Sequence, residues 1–242
     1  MIHLFLKRNI ILLFFAVLGA SVLADSDVRN FERFTGIALN ERGEKAYLEE
    51  HEIEFRGGKV FKSKTSYLDS KTLTPIAELV SDYSQNHLIP DHYFKDFRNQ
   101  DQDIVRLEGN VVKMTTIRGG KKEAGEIQYE PTLLGCQGFH YFIQEQLGKL
   151  VNEKEVVMKL IVPIKKDAYE FKQTFKKVSD SRAKVWVRAN NFFLRLFAPN
   201  MEIEYDLGSK RILGYKGASN ISDLQGHLMN VVIQYDYNKA RF

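Results

Sequence analysis

Met201, Ile203 and Tyr205 alternate with Glu202, Glu204 and Asp206, so one face of an extended segment is dry and the other wet. The same period of two recurs along most of the chain, and glycine-containing turns cut it at short intervals. Ile53 and Phe55 alternate with Glu52 and Glu54, and the Gly57-Gly58 pair permits a two-residue hairpin into a strand that begins at Lys59. Glu108-Gly109-Asn110, Gly119-Gly120 and Gly208-Ser209 are further turns of this kind. Strands joined so tightly must be antiparallel. More strands are expected near 31–38, 73–83, 92–98, 103–107, 111–118, 123–129, 154–162, 168–178, 183–189, 211–216 and 229–236.

Val156, Met158, Leu160 and Val162 lie opposite Val157 and Ile161, so that strand is apolar on both faces and needs cover on both. One helix is a candidate cover: from about Cys136 to Leu150, the residues Phe139, Phe142, Ile143, Leu147 and Leu150 recur at three- and four-residue spacing. A sheet of this many strands has to curl or split. The expected fold is therefore mainly β (α+β), a curved antiparallel sheet or half-barrel with one main helix covering its concave face. No Pro/Ser-rich linker, internal repeat or low-complexity tract interrupts residues 25–242, which read as a single β-rich domain.

The first 24 residues differ in character. Lys7 and Arg8 precede an apolar stretch from Ile10 to Leu18, and Val22 and Ala24 are small residues at the two positions that a signal peptidase reads. Residues 1–24 thus read as a removable signal peptide, and the expected location is periplasmic or secreted. Removing them takes Lys7 and Arg8 from 35 Lys+Arg and nothing from 31 Asp+Glu, so the net charge falls from +4 to +2. Nucleic-acid binders need a concentrated basic face, and a near-neutral chain with short, acid-flanked lysine pairs argues against that class. Cys136 is the only cysteine, so no internal disulfide can form and stability rests on a core that 17 Phe and 11 Tyr can supply.

Chemistry-bearing groups are sparse. Cys136 and His140 are four apart and would share a helix face, although a lone cysteine is expected to pack as a small hydrophobe. His87, Asp91 and His92 offer two imidazoles and a carboxylate, but Pro90 puts them in a turning segment ill suited to a zinc site. His51-Glu52 lacks the second histidine of a zincin helix, and Glu49, Glu50, Glu52 and Glu54 could contain an acid/base pair but read as the wet face of a strand. There is no nucleophile elbow, P-loop or dinucleotide fingerprint. This reading names no catalytic residue, metal ligand or cofactor. One stretch departs from what solubility alone would choose: NNFFLRLFAPN at 190–200, where Phe192, Phe193, Leu194, Leu196 and Phe197 surround Arg195. It reads as a buried segment, as a lip over an apolar cavity, or as a loop in transient contact with a membrane.

The segment MEIEYDLGSKRILGYKGASNISDLQGHLMNVVIQYDY at 201–237, with AYLEEHEIEF at 46–55 and LIPDHYF at 88–94, resembles a group of uncharacterised exported bacterial β-rich proteins. Its most specific part is the Tyr-Lys-Gly-x-Ser-Asn-Ile-x-Asp run at 215–223, in which Gly217, Asn220 and Asp223 suit a turn bonded to its own backbone. That group is distantly similar to the periplasmic lipoprotein-carrier superfamily. The resemblance implies a curved sheet around helical cover, with an apolar concavity that holds acyl chains in the carriers. It brings no catalytic residues with it.

The function expected from these readings is non-enzymatic binding of a lipid or other apolar small molecule by an exported cell-envelope protein. Phe192, Phe193, Leu196 and Phe197, with Phe139 and Phe142 of the helix, are the expected ligand-binding residues. The alternatives are a structural or interaction protein of the envelope, whose protein partner the sequence does not name, and a hydrolase with a site assembled from scattered residues.

Overall fold

The computed structural model describes residues 29–147, 155–190, 200–223 and 225–238. Among these, fifteen strands form one sheet. Eight precede the helix: β1 (Arg29–Leu39), β2 (Lys45–Arg56), β3 (Lys59–Asp69), β4 (Pro75–Asp82), β5 (Asp91–Asp96), β6 (Gln102–Glu108), β7 (Val111–Arg118) and β8 (Lys121–Gln128). A short β9 (Leu133–Leu134) leads into the helix α1 (Gly138–Gln146). Six follow it: β10 (Glu155–Val162), β11 (Asp167–Lys177), β12 (Arg182–Ala189), β13 (Met201–Asp206), β14 (Ile212–Ser222) and β15 (Leu228–Asp236). Across the sheet the order runs from β8 down to β1, then from β15 down to β9. Every ladder but one joins neighbours in sequence. The exception is β1 with β15, in the middle of the sheet, where Gly36 lies opposite Tyr235.

The turns behave as their residues require. Gly57 and Gly58 both have positive φ, 55° and 75°, as a two-residue hairpin twisted to match its strands demands, and Gly119 and Gly120 repeat this at 56° and 79°. All ladders are antiparallel except β9 with β10, a short parallel pairing that the hairpin pattern did not foretell.

The sheet is curved and unclosed, and its two edges overlap without pairing. On one face of β10, Met158 and Leu160 join Phe171, Phe175, Val185, Val187, Ile203 and Tyr205 in the largest core cluster. On the other face, Ile161 and its neighbour Ala168 of β11 pack against Val105, Val112 and Met114 from the inner faces of β6 and β7. Lys166, at the end of a short 3₁₀ turn (Pro163–Lys165), crosses Gly125 of β8 and pairs with Glu123. The strand with two dry faces is thus covered on one side by the helix and on the other by the opposite edge of its own sheet. This overlap does not reach Val157, which is 52% exposed.

The helix lies in the concavity, as the pattern of its apolar residues anticipates. Ile143 and Leu147 pack toward β10–β13, while Tyr141 meets Tyr83 edge-on at 5.1 Å on the other wall. It starts two residues later than Cys136, and residues 148–150 of the expected helix lie outside the described ones. Gln137 precedes it without capping it, because its Oε1 instead accepts hydrogen bonds from Ser63 at 2.6 Å and Tyr83 at 3.3 Å. A Cβ on Gly138 would stand 1.9 Å from the Leu88 carbonyl oxygen, so only glycine lets the helix seat there.

The expected turn over Gly217–Asp223 is corrected: β14 continues to Ser222, with its register to β15 shifting between Ala218 and Ser222. Ladder and cross-sheet bonds win over local ones here. Of Gly217, Asn220 and Asp223, only Asp223 bonds the local backbone through its side chain, accepting from the N–H groups of Gln225 and His227.

Candidate functional site on the concave face

Along β2, Tyr47, Glu49, His51, Ile53 and Phe55 share one face, because side chains alternate. That face is the concave one, so Glu49 lies inside the roll at 4% exposure, while Glu50, Glu52 and Glu54 point outward. The expectation that all four glutamates form a wet face therefore fails at Glu49. The alternation itself carried the signal, since Glu49 has the same parity as Ile53 and Phe55.

Glu49 sits over a notch in the sheet. Gly36 of β1 is the cross-strand partner of both Glu49 and Tyr235. A Cβ there would come within 3.0 Å of the Tyr235 ring and 3.1 Å of Glu49 Oε2. His51 shares hydrogen bonds on both sides of its ring, Nε2 with Glu49 Oε2 at 2.8 Å and Nδ1 with Thr65 Oγ1 at 3.0 Å. Phe34 stacks on the imidazole at 4.4 Å, Tyr235 meets it edge-on at 5.5 Å, and Tyr237 stacks on Phe34.

The displaced end of β14 closes over this group. Ser219 shares a hydrogen bond with Tyr47 at 2.7 Å, Asn220 donates to the Tyr67 hydroxyl at 3.0 Å, and the Tyr215 hydroxyl donates to the Ala218 carbonyl at 2.7 Å. Burial raises the phenol pKa values of Tyr47, Tyr67, Tyr215 and Tyr235, and the negative charge of Glu49 adds to each. The Tyr235 hydroxyl has no hydrogen-bond partner among the described residues. Tyr215 and Tyr235 are partly exposed.

Cys136 and His140 are not a thiol–imidazole pair. Burial, with a contribution from Asp103, pushes the thiol up to about 12, and a group so protonated is no nucleophile. His140 instead bonds through Nδ1 to the Tyr205 hydroxyl at 2.8 Å, and burial lowers its pKa to about 4. His87, Asp91 and His92 point apart: His92 is buried on the inner face of β5, and His87 lies 3.4 Å from Glu145. Among the described residues no three His, Cys, Asp or Glu side chains form a metal-binding group.

Of the expected ligand-binding residues, Phe139 and Phe142 are partly buried against the cluster of β10–β13. Phe192, Phe193, Leu196 and Phe197 lie outside the described residues, as do residues 1–24. Comparison with protein-family models, curated proteins and solved structures finds no match to this chain.

Proposed function

We propose that this chain is an exported, non-enzymatic cell-envelope protein that binds a lipid or another amphipathic apolar molecule within its concave face. The observation that carries this reading is the composition of that face: apolar clusters flank a band of partly exposed tyrosines around Glu49 and His51. Ligand pockets combine apolar lining with a few convergent polar groups in this way. The resemblance to the lipoprotein carriers points in the same direction. Native mass spectrometry of protein purified from its own envelope tests it, with a bound lipid-sized mass expected; bare protein after gentle release would overturn it. N-terminal sequencing of the same material should begin at Asp25, and an intact Met1 would remove the export part of the proposal.

The Thr65, His51 and Glu49 chain of hydrogen bonds favours a second reading, a hydrolase. Thr65 is only 1% exposed, which leaves its hydroxyl no access to an acyl group and ranks this reading below the first. Ester hydrolysis abolished by His51→Ala would reverse that order.

A further inference from the structure

Exposed large apolar side chains gather at one end of the roll. Because successive strands run in opposite directions, the turns that follow β1, β3, β5, β7, β10 and β14 all lie at the same end of the sheet. Leu73 of the β3–β4 turn, Phe97 of the β5–β6 turn, Ile164 of the 3₁₀ turn after β10, and Leu228 at the start of β15 are 39–55% exposed there. Contacts across the roll draw these turns into one rim. Arg98 Nη2 donates to the Ser222 carbonyl at 2.9 Å, and the 3₁₀ turn lies against β6 and β7. Among the described residues, the turns at the opposite end carry one such side chain, Val178.

Leu73 is the most telling of the four. Its φ of 60° is a left-handed conformation that suits glycine or asparagine, yet the position holds a large apolar side chain that stands in water. The turn does not depend on that side chain, because Asp69 Oδ1 holds it by accepting from the N–H groups of Lys71 and Thr72 and from the Thr72 hydroxyl. A lysine stands within two residues of three of the tips: Lys71 by Leu73, Lys95 by Phe97 and Lys165 by Ile164. None of these lysines makes an ion pair among the described residues. The neighbouring acids are engaged, Asp69 in its own turn and Asp96 by Arg98 at 2.5 Å.

Single apolar tips set apart by ammonium groups do not form the continuous dry patch of a protein interface, whose centre is depleted in charge. They match the boundary of a bilayer, where an apolar tip enters the acyl region and a lysine beside it reaches the phosphates. We propose that this rim docks the protein on an anionic lipid surface, with Leu73, Phe97, Ile164 and Leu228 inserted and the three lysines at the headgroups. Docking of this kind is independent of what the concave face binds.

The test is co-sedimentation of the protein with vesicles of phosphatidylcholine alone and of phosphatidylcholine mixed with phosphatidylglycerol. The mixed vesicles should bind at least about fivefold tighter, since each lysine near the surface adds to the attraction. The double variant Leu73→Asn with Phe97→Ser should lower binding at least about tenfold through lost apolar insertion. Its melting temperature should stay level or rise, because asparagine is at ease at the Leu73 backbone geometry. A matched variant at the other end, Phe31→Ser with Val178→Ser, should bind within about twofold of the unaltered protein. No binding to either vesicle overturns the proposal and assigns the tips to a protein partner, leaving the reading of the concave face untouched. Binding that survives Leu73→Asn with Phe97→Ser, or that falls equally in both double variants, overturns it as well. Equal binding to the two vesicles overturns the part played by the lysines.

Discussion

Lowering the pH from 7 to 5 should remove a large part of this protein's stability through two histidines. His92 is 5% exposed, its Nδ1 has no hydrogen-bond partner, and burial lowers its pKa from the usual 6.5 to about 4. His140, held against Tyr205, is lowered to about 4 by burial and, secondarily, by His51. Each binds a proton in the unfolded chain at higher pH than in the folded one. As pH falls below 6.5 the unfolded state therefore gains protons first, and stability drops until the folded pKa near 4 is passed. Above 6.5 both states are neutral and the contribution to stability is complete. For one such group the loss between pH 7 and 5 is about 2 kcal/mol, and for the two together about 4 kcal/mol, against a total stability of about 5–15 kcal/mol for a typical domain. Urea unfolding at pH 7, 6 and 5 reads this directly as a falling midpoint at constant slope. The variant with both His92→Gln and His140→Gln should start less stable yet lose little over the same interval. A change below about 1 kcal/mol in the unaltered protein, or an undiminished pH dependence in the double variant, would refute the reasoning.

Gly138→Ala should destabilise by about 2–3 kcal/mol, read as a lower melting temperature, because its Cβ would collide with the Leu88 carbonyl rather than with a movable side-chain tip. Cys136→Ala should lower stability by about 1 kcal/mol and leave ligand binding intact. In the folded protein the Cys136 thiol, raised to about 12, should react with aromatic disulfide reagents at pH 8 far more slowly than in urea. Changing Phe193 and Phe197 together to serine should leave the melting temperature nearly unchanged and abolish uptake of a fluorescent lipid probe if this segment is a lip; a fall of more than about 10 °C would assign it to the core.

The β2–β3, β6–β7 and β7–β8 hairpins were legible because Gly57-Gly58, Glu108-Gly109 and Gly119-Gly120 mark their turns and the flanking alternation gives each strand a dry face. The helix was legible through Phe139, Phe142 and Ile143, although its start was not, since the obstruction at Gly138 comes from Leu88, fifty residues earlier in the chain. The site was half legible. Glu49 reads as one of four surface acids by composition and as an inner residue by parity, and parity is the physical rule that decides. The partners of Tyr47 and Tyr67 were beyond reach, because Ser219 and Asn220 lie 172 and 153 positions away and meet them only once the sheet has rolled. For the same reason nothing local announced that Ile161 would be covered by β6 and β7.

The pairing of β1 with β15 in the middle of the sheet has a consequence for how the molecule assembles. All other ladders close loops between successive strands, so each arm of the sheet can zip from its own turns at small entropic expense. The central ladder, from Thr35↔Asp236 to Leu39↔Val232, spans nearly the whole chain and cannot form until β15 has left the ribosome. Until then the first arm waits with the β1 edge bare, its backbone donors and acceptors open to strand pairing with another copy. Pulse-labelled hydrogen exchange during refolding should accordingly protect amides of β3–β7 before those of Thr35–Leu39. Holding that edge apart from other chains until the last strand arrives is the step on which the yield of folded protein turns.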